Sequence, residues 1–302
     1  MGPVVEVRDL VKRYGEVVAV AGISLEVHAG EVFGLLGPNG AGKTTTLEIL
    51  EGLRRPDGGT IRVAGVDVRR DPQAVKARIG VQLQQAGFFP RLTVGETVRL
   101  FASFHRRSVA ADVLLQRLGL AERSRTLVED LSGGLRQRLS LALTLVNDPE
   151  VVFLDEPTTG LDPQARRHVW EIIEGLRGEG RAVVLTTHFM EEAQRLCDRV
   201  AVLDHGRILA QGTPHQLIQA YGGSSTLVIG GELPDELVRE LPGVQAAVRR
   251  NGETWVHTLL PLETLHALVE TRTGRIACGY LHLHQPTLED VFLTLTGRRL
   301  RE

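Results

Sequence analysis

Gly37-Pro38-Asn39-Gly40-Ala41-Gly42-Lys43-Thr44-Thr45 is the stretch on which the reading of this chain turns. It fits G-x-x-x-x-G-K-[ST], a pattern that carries meaning when a strand leads into it and a helix leaves it. Val32-Phe33-Gly34-Leu35-Leu36 is short and apolar, as a buried strand is, and residues 45–53 put Leu47, Leu50 and Leu53 on one side of a helix. The glycines let the backbone curl so that successive N–H groups point into one concavity. Such a nest, with a helix N-terminus behind it, holds an anion without side-chain charge. Lys43 is then placed to reach the β- and γ-phosphates of a nucleotide, and the Thr44 hydroxyl to sit on Mg²⁺. The stretch reads as a nucleotide site.

The rest of the composition limits what can surround it. A length of 302 residues allows two domains. Apolar content of 42% and charged content of 24% fit a soluble globular protein. A formal charge of −2 gives no electrostatic case for nucleic acid as the main partner. Cys197 and Cys278 lie far apart with no C-x-x-C, so each reads as a small core residue rather than part of a disulfide framework or zinc site. No stretch reaches the roughly 18 continuous apolar residues of a membrane helix. The longest, residues 139–146, is broken by Thr144 and reads as a buried helix. Met1-Gly2-Pro3-Val4 lacks the basic and apolar regions of a signal peptide. If the protein works at a membrane, another chain is expected to supply the membrane part.

Working outward, residues 4–27 are strand-like on both sides of a hairpin turn at Arg13-Tyr14-Gly15-Glu16. Short strands follow at 61–63, 66–68 and 79–83, with a short helix at 72–78. From about Gly87 the pattern becomes helical, with apolar residues three to four apart over 93–107, 110–118 and 131–146. This reads as a helical insertion, about 87–147, within a sheet-based core. Val151-Val152-Phe153-Leu154 is fully apolar, as a central strand of a parallel sheet is. Helices at 166–175 and 190–197 then alternate with strands at 182–185 and 200–203, which indicates an α/β core with a mostly parallel sheet. Small polar residues at Tyr221-Gly222-Gly223-Ser224-Ser225 mark a linker. Residues 1–221 are therefore expected as one domain and 222–302 as a small α+β domain. Its β-α-β-β-α-β order is ferredoxin-like.

Three more segments carry chemistry. Asp155 closes the apolar strand, where a carboxylate beside a phosphate loop suits Mg²⁺, directly or through water. Glu156 is placed to polarise an attacking water as general base. In Leu131-Ser132-Gly133-Gly134, Ser132 is an N-cap candidate and the glycines again offer bare N–H groups at a helix N-terminus.

Residues 37–45, Leu131-Ser132-Gly133-Gly134 and Asp155-Glu156-Pro157-Thr158, in this order, resemble the ATP-binding subunit of an ABC transporter. The resemblance covers residues 4 to about 220 and reaches further positions. Tyr14 resembles the aromatic that stacks on adenine, and Gln84, flanked by Gln82 and Gln85, the glutamine that touches Mg²⁺ and the water. Gly160-Leu161-Asp162 resembles the D-loop and His188 the switch histidine. Leu135 departs from the glutamine usual there. The resemblance implies an antiparallel β subdomain beside the P-loop core. It also implies a head-to-tail dimer, with an identical chain or a homologue, in which Ser132, Gly133 and Gly134 of one copy cover ATP held by Lys43 of the other. ATP closes such a dimer and hydrolysis opens it.

Gln285-Pro286-Thr287-Leu288-Glu289-Asp290-Val291-Phe292 resembles the tail of drug- and polysaccharide-type exporter ATPases with a separate permease. The implied protein is a cytoplasmic subunit, peripheral on the inner face of the cell membrane, that meets a permease through the helical insertion beside Gln84. Phe88 and Phe89 are either exposed to that permease or part of the core. His282 and His284 alternate on one strand face, which could suit a metal but lacks a third ligand; a dimer-stabilising or regulatory role for this domain is the expectation. The alternative reading is a soluble ABC ATPase acting as a mechanical or regulatory clamp on ribosomes or DNA. Such proteins usually carry two nucleotide domains or a long coiled-coil insertion, and neither is present.

Overall fold

A computed structural model describes residues 2–83, 87–270 and 279–297. These residues divide into two compact units, with the division between Pro214 and His215.

The first unit begins with an antiparallel hairpin of β1 (Val5–Tyr14) and β2 (Val17–Val27), as the valine-rich flanks of the turn require. The strand before the phosphate loop is β3 (Val32–Leu36), buried along its whole length. Helix α1 (Lys43–Leu50) follows the loop directly. It buries Leu47 and Leu50, but it ends before Leu53, which lies beyond a turn at Gly52 and is half exposed rather than on the buried face expected. Strands β4 (Gly58–Val63) and β5 (Val66–Asp67) extend the hairpin into a sheet of order β2-β1-β4-β5.

After α2 (Pro72–Lys76), strand β6 (Ile79–Gln82) enters the second sheet. The insertion supplies α3 (Val94–Ser103), α4 (Ala111–Arg117) and α5 (Gly133–Thr144). Thr93 and Glu96 form a reciprocal capping box that fixes where α3 starts. The chain returns to the sheet as β7 (Val151–Asp155), α6 (Pro163–Gly178), β8 (Ala182–Thr187), α7 (Met190–Leu196) and β9 (Arg199–Asp204). Helix α6 starts three residues before the expected 166, because Asp162 accepts from two N–H groups and Pro163 suits the first helical position. An edge strand, β10 (Arg207–Gly212), pairs antiparallel with β9. The sequence did not suggest it, since an edge strand here buries only Ala210.

The second sheet runs β10-β9-β3-β8-β7-β6, with β9, β3, β8, β7 and β6 all parallel. Val5, Val7 and Leu25 from the first sheet, Leu47 and Leu50 from α1, and Phe33, Leu35 and Phe153 from the second form one core. Burying a phenylalanine such as Phe33 or Phe153 contributes about 1.5–3 kcal/mol, so this core is what holds the strand before the phosphate loop in place.

Helix α8 (Pro214–Tyr221), not expected from the sequence, belongs to the second unit from His215 onward. Then come β11 (Ser225–Gly230), α9 (Asp235–Glu240), β12 (Val244–Arg250), β13 (Glu253–Thr258), α10 (Pro261–Glu270), β14 (Leu281–His284) and α11 (Leu288–Thr296). The four strands form an antiparallel sheet of order β12-β13-β11-β14. Leu227, Ile229, Val256 and Leu268 make its own core. Cys278 lies outside the described residues, and Cys197 is buried as expected. Among the described residues no helix is long and apolar enough to cross a membrane, and no cluster with His282 and His284 could hold a metal.

Candidate active site

In a parallel sheet the carboxyl ends of all strands open on one edge, which is where ligands of such folds bind. Here β8 lies between β3 and β7, so the phosphate loop, Thr186–His188 and Asp155–Glu156 meet at one place.

The loop conformation depends on glycine. Gly42 sits at the N-cap of α1 with φ 99°, and a Cβ there would lie 2.4 Å from the Ala19 carbonyl oxygen on β2. A Cβ on Gly37 would lie 2.3 Å from the carbonyl oxygen of Leu203. Both positions therefore exclude a side chain for steric reasons independent of any ligand.

Lys43 is buried, and its Nζ donates to the carbonyls of Gly37 at 2.7 Å and Pro38 at 3.0 Å. An ammonium has three protons, so one donor remains for a phosphate oxygen. Burial lowers the Lys43 pKa, and the nearby carboxylates of Glu156 and Asp155 oppose that shift. The positive charge is thus held in place by the acids it faces.

Thr44 Oγ1 lies 3.3 Å from Asp155 Oδ2, and Thr186 donates its hydroxyl to the other oxygen, Oδ1. A hydroxyl and an oriented carboxylate converging on one point are hard oxygen donors, the set that Mg²⁺ prefers. Thr44 and Asp155 fit that ion; Gln84, expected as a third contributor, lies outside the described residues.

Glu156 follows at the strand end in a left-handed conformation, φ 49°, that few residues with a Cβ adopt. Thr186 fixes it there, since the Glu156 N–H meets both Thr186 Oγ1 at 3.0 Å and Thr186 O at 3.2 Å. Thr159 donates to Glu156 Oε2 at 3.1 Å, and His188 Nδ1 lies 3.3 Å from Oε1. A carboxylate held at both oxygens is oriented as a general base must be. Thr186 and Thr159 were not anticipated as site residues. The one signal for Thr186 was that hydroxyls interrupt the apolar run of β8 at its site end.

The signature segment lies elsewhere in the unit. Ser132 caps α5 through a long contact, 3.4 Å, from Leu135 N. A Cβ on Gly134 would lie 2.9 Å from the Ala165 Cβ, so α5 begins in close contact with the start of α6. There Asp162 accepts from Gln164 N and Ala165 N, both at 2.9 Å, and these bonds, chiefly that from Ala165, lower its pKa. Gln137 donates to the carbonyl of Pro157, linking α5 to the segment after Glu156. Among the described residues these contacts run to α6 and Pro157 rather than to the phosphate loop. The loop itself is open, with Asn39, Gly40 and Thr44 exposed, as are Ser132 and Gly133.

Tyr14 ends β1, 40% exposed, with Lys12 Nζ 5.4 Å and the Arg54 guanidinium 5.2 Å from its ring centre. Its hairpin reaches the loop through Ala19, and Tyr14 pairs with Val17 two residues away, so the ring stands at the same, turn end of that strand pair. Phe89 is half exposed and Phe88 partly buried, so the two aromatics of the insertion divide between the alternatives open from sequence.

The ABC transporter family model matches residues 20–159. Over 304 residues the chain is 43% identical to a Burkholderia lata protein named Nod factor export ATP-binding protein I, covering 99% of this chain and 98% of that one. A Ralstonia nicotianae protein of the same name is 42% identical, covering 99% and 96%. Among solved structures, the ATP-binding subunit of an ABC transporter is 28% identical with a TM-score of 0.66, covering 72% of this chain and 93% of that one. A dimeric ATP-binding cassette in a post-hydrolysis state with ADP and Pi is 26% identical with a TM-score of 0.63, covering 69% and 98%. The phosphate loop, the strand-end acids and these full-length relatives agree, and the chain belongs to the ABC transporter family as an ATP-binding subunit.

Proposed function

We propose that this chain is the ATP-hydrolysing subunit of an exporter, peripheral on the cytoplasmic face of the membrane and paired with a separate permease. The observation that carries the reading is the group at the ends of β7 and β8, in which Thr186 holds Asp155 and Glu156 opposite Lys43. Mg²⁺, when bound beside Thr44 and Asp155, supplies charge neutralisation at the phosphates. Gln84 joins Thr44 and Asp155 in that role on family resemblance.

Residues of this chain do the rest. The nest of residues 37–45 and Lys43 bind the phosphates and stabilise the charge that develops on them. Glu156 accepts a proton from the attacking water, with His188 and Thr159 holding its oxygens. Tyr14 stacks on adenine. Because the loop and the Ser132-Gly133-Gly134 segment are both exposed, each copy offers a half-site: the signature of one covers the nucleotide of the other, with Asp162 at the interface. ATP binding then closes the pair by differential contact with the γ-phosphate, and hydrolysis opens it.

Export as the direction follows the names of the full-length relatives. The helical insertion, with Phe89 exposed, is the surface offered to the permease. Residues 222–302 are an accessory ferredoxin-like domain. The test is to pull down tagged Glu156→Gln from gently solubilised native membranes with ATP and Mg²⁺. A polytopic membrane protein is the expected partner; ribosomes or soluble proteins alone would overturn the reading.

A further inference from the structure

Helix α7 follows the His188 segment, and its third residue, Glu192, is fully buried. An acid buried this completely is uncommon and is held by specific partners. Here two donors converge on one of its oxygens. Thr158, two residues after Glu156, donates its hydroxyl to Glu192 Oε1 at 2.8 Å, and Trp170 of α6 donates its indole N–H to the same oxygen at 3.0 Å. Thr158 and Trp170 are buried as well. Oε2 has no hydrogen-bond partner among the described residues, so an acceptor at Oε1 is what the carboxyl supplies. The segments joined by Thr158 and Glu192 are those that carry Glu156 and His188, whose Oε1 and Nδ1 stand 3.3 Å apart. They are therefore joined twice, once through the reacting groups and once through a buried bond. Helix α6 reaches the His188 segment by a second route. The Arg166 guanidinium lies 4.8 Å from the centre of the Phe189 ring, and that ring centre lies 4.2 Å from that of His188.

We propose that Glu192 is a positioning residue for ATP hydrolysis: its Oε1 ties the Glu156 and His188 segments to each other and to α6, and so sets the spacing of base and histidine. The proposal rests on the roles given above to Glu156 and His188 and adds the group that holds them in register. A second tie is needed because the first one changes during the reaction. When Glu156 accepts a proton from the attacking water it loses its charge, and a bond to a charged group is about twice as strong as one to a neutral group. The direct contact with His188 therefore loosens as hydrolysis proceeds. The bonds at Glu192 involve neither reacting group, so they hold through that step. Burial, the largest influence on the Glu192 carboxyl, raises its pKa and shifts it towards the neutral form, which makes glutamine its conservative replacement. A glutamine carbonyl keeps the acceptor for Thr158 and Trp170, and a methionine in the same space does not.

The experiment measures kcat, KM for ATP and ATP Kd on the full chain with Mg²⁺, for wild type, Glu192→Met, Glu192→Gln and Thr158→Val, at a temperature where each is folded by its Tm. Misplacing a reacting group by about 1 Å can cost about 100-fold in rate. Glu192→Met is therefore expected to lower kcat at least about tenfold while KM and ATP Kd stay within about twofold. Thr158→Val removes the hydroxyl from the other side of the bond and should lower kcat as well. The double variant should be no slower than the slower single, because both remove one interaction. Glu192→Gln should recover most of the wild-type kcat. In a His188→Ala background the further loss from Glu192→Met should shrink below about threefold, since little spacing is left to set. Unchanged kcat in Glu192→Met and Thr158→Val overturns the positioning role and leaves Glu156 and His188 in place. ATP affinity that falls in step with kcat, or a full loss on top of His188→Ala, also overturns it, since the acid would then be structural. A Glu192→Gln as slow as Glu192→Met overturns the acceptor at Oε1. Undiminished hydrolysis by Glu156→Gln overturns the reading beneath the proposal, and the proposal with it.

Discussion

Glu156 combines a chemical role with a backbone conformation that costs about 1–2 kcal/mol for a residue with a Cβ. Strain of this kind persists where surrounding bonds over-determine it, and here Thr186 supplies them. Two variants separate function from strain. Glu156→Gln keeps the shape and loses the base, so ATP binding should persist while turnover falls at least about 100-fold; undiminished hydrolysis would remove Glu156 from the proposed mechanism. Glu156→Gly relieves the strain, and its unfolding free energy should exceed that of Glu156→Ala by about 1 kcal/mol, as chemical denaturation would show. At Glu51, buried at the end of α1 beside the acids Asp155 and Glu48, the sign of the pH effect can be worked out. Its folded pKa of about 8 lies above the ordinary 4.5, so its contribution is fully present below 4.5 and is lost as pH rises towards 8. Relative to Glu51→Gln, wild type should lose up to about 5 kcal/mol across that window, from 1.36 kcal/mol per unit of pKa difference. Parallel melting curves at pH 5 and pH 8 for the two proteins would contradict this.

At the scale of elements, the two glycine-rich segments respond differently to substitution. Gly42 meets the Ala19 carbonyl at a left-handed φ, so Gly42→Ala must displace β2 or the loop. A stability loss of about 1–3 kcal/mol is expected, together with loss of nucleotide binding. Ser132 caps α5 only through a 3.4 Å contact, so Ser132→Ala should cost under about 1 kcal/mol in stability. Its defect should appear instead in ATP-driven pairing, measured as loss of the ATP-dependent dimer on size-exclusion chromatography in a Glu156→Gln background. These elements also show why some of the molecule was legible in sequence. The apolar blocks of β3, β7 and β8 are buried throughout, so their pattern carried the sheet, and the phosphate loop carried its own steric signature. Edge strand β10 buries one residue and left little trace. Thr186 was invisible for a different reason: its role comes from partners about thirty residues away in sequence.

For the molecule as a whole, the two units have separate hydrophobic cores, one built on Phe33, Phe153 and α1, the other on Leu227, Ile229 and Val256. The bonds of Lys43 to Gly37 and Pro38, of Asp155 to Thr44 and Thr186, and of Glu156 to Thr186 lie within residues 2–214. A chain ending at Pro214 therefore keeps both sheets of the first unit and these bonds that orient the site. It is expected to fold and to bind ATP within about twofold of the full chain, since no buried site group loses one of these partners. The proposed half-site arrangement then gives the comparison its use. If residues 215–302 serve pairing, the truncated chain carrying Glu156→Gln should bind ATP normally yet need a higher protein concentration to form the ATP-dependent dimer, by sedimentation velocity. An equal dimerisation constant would confine the second unit to another role, and loss of ATP binding in a folded truncation would mean that the site depends on residues beyond 214.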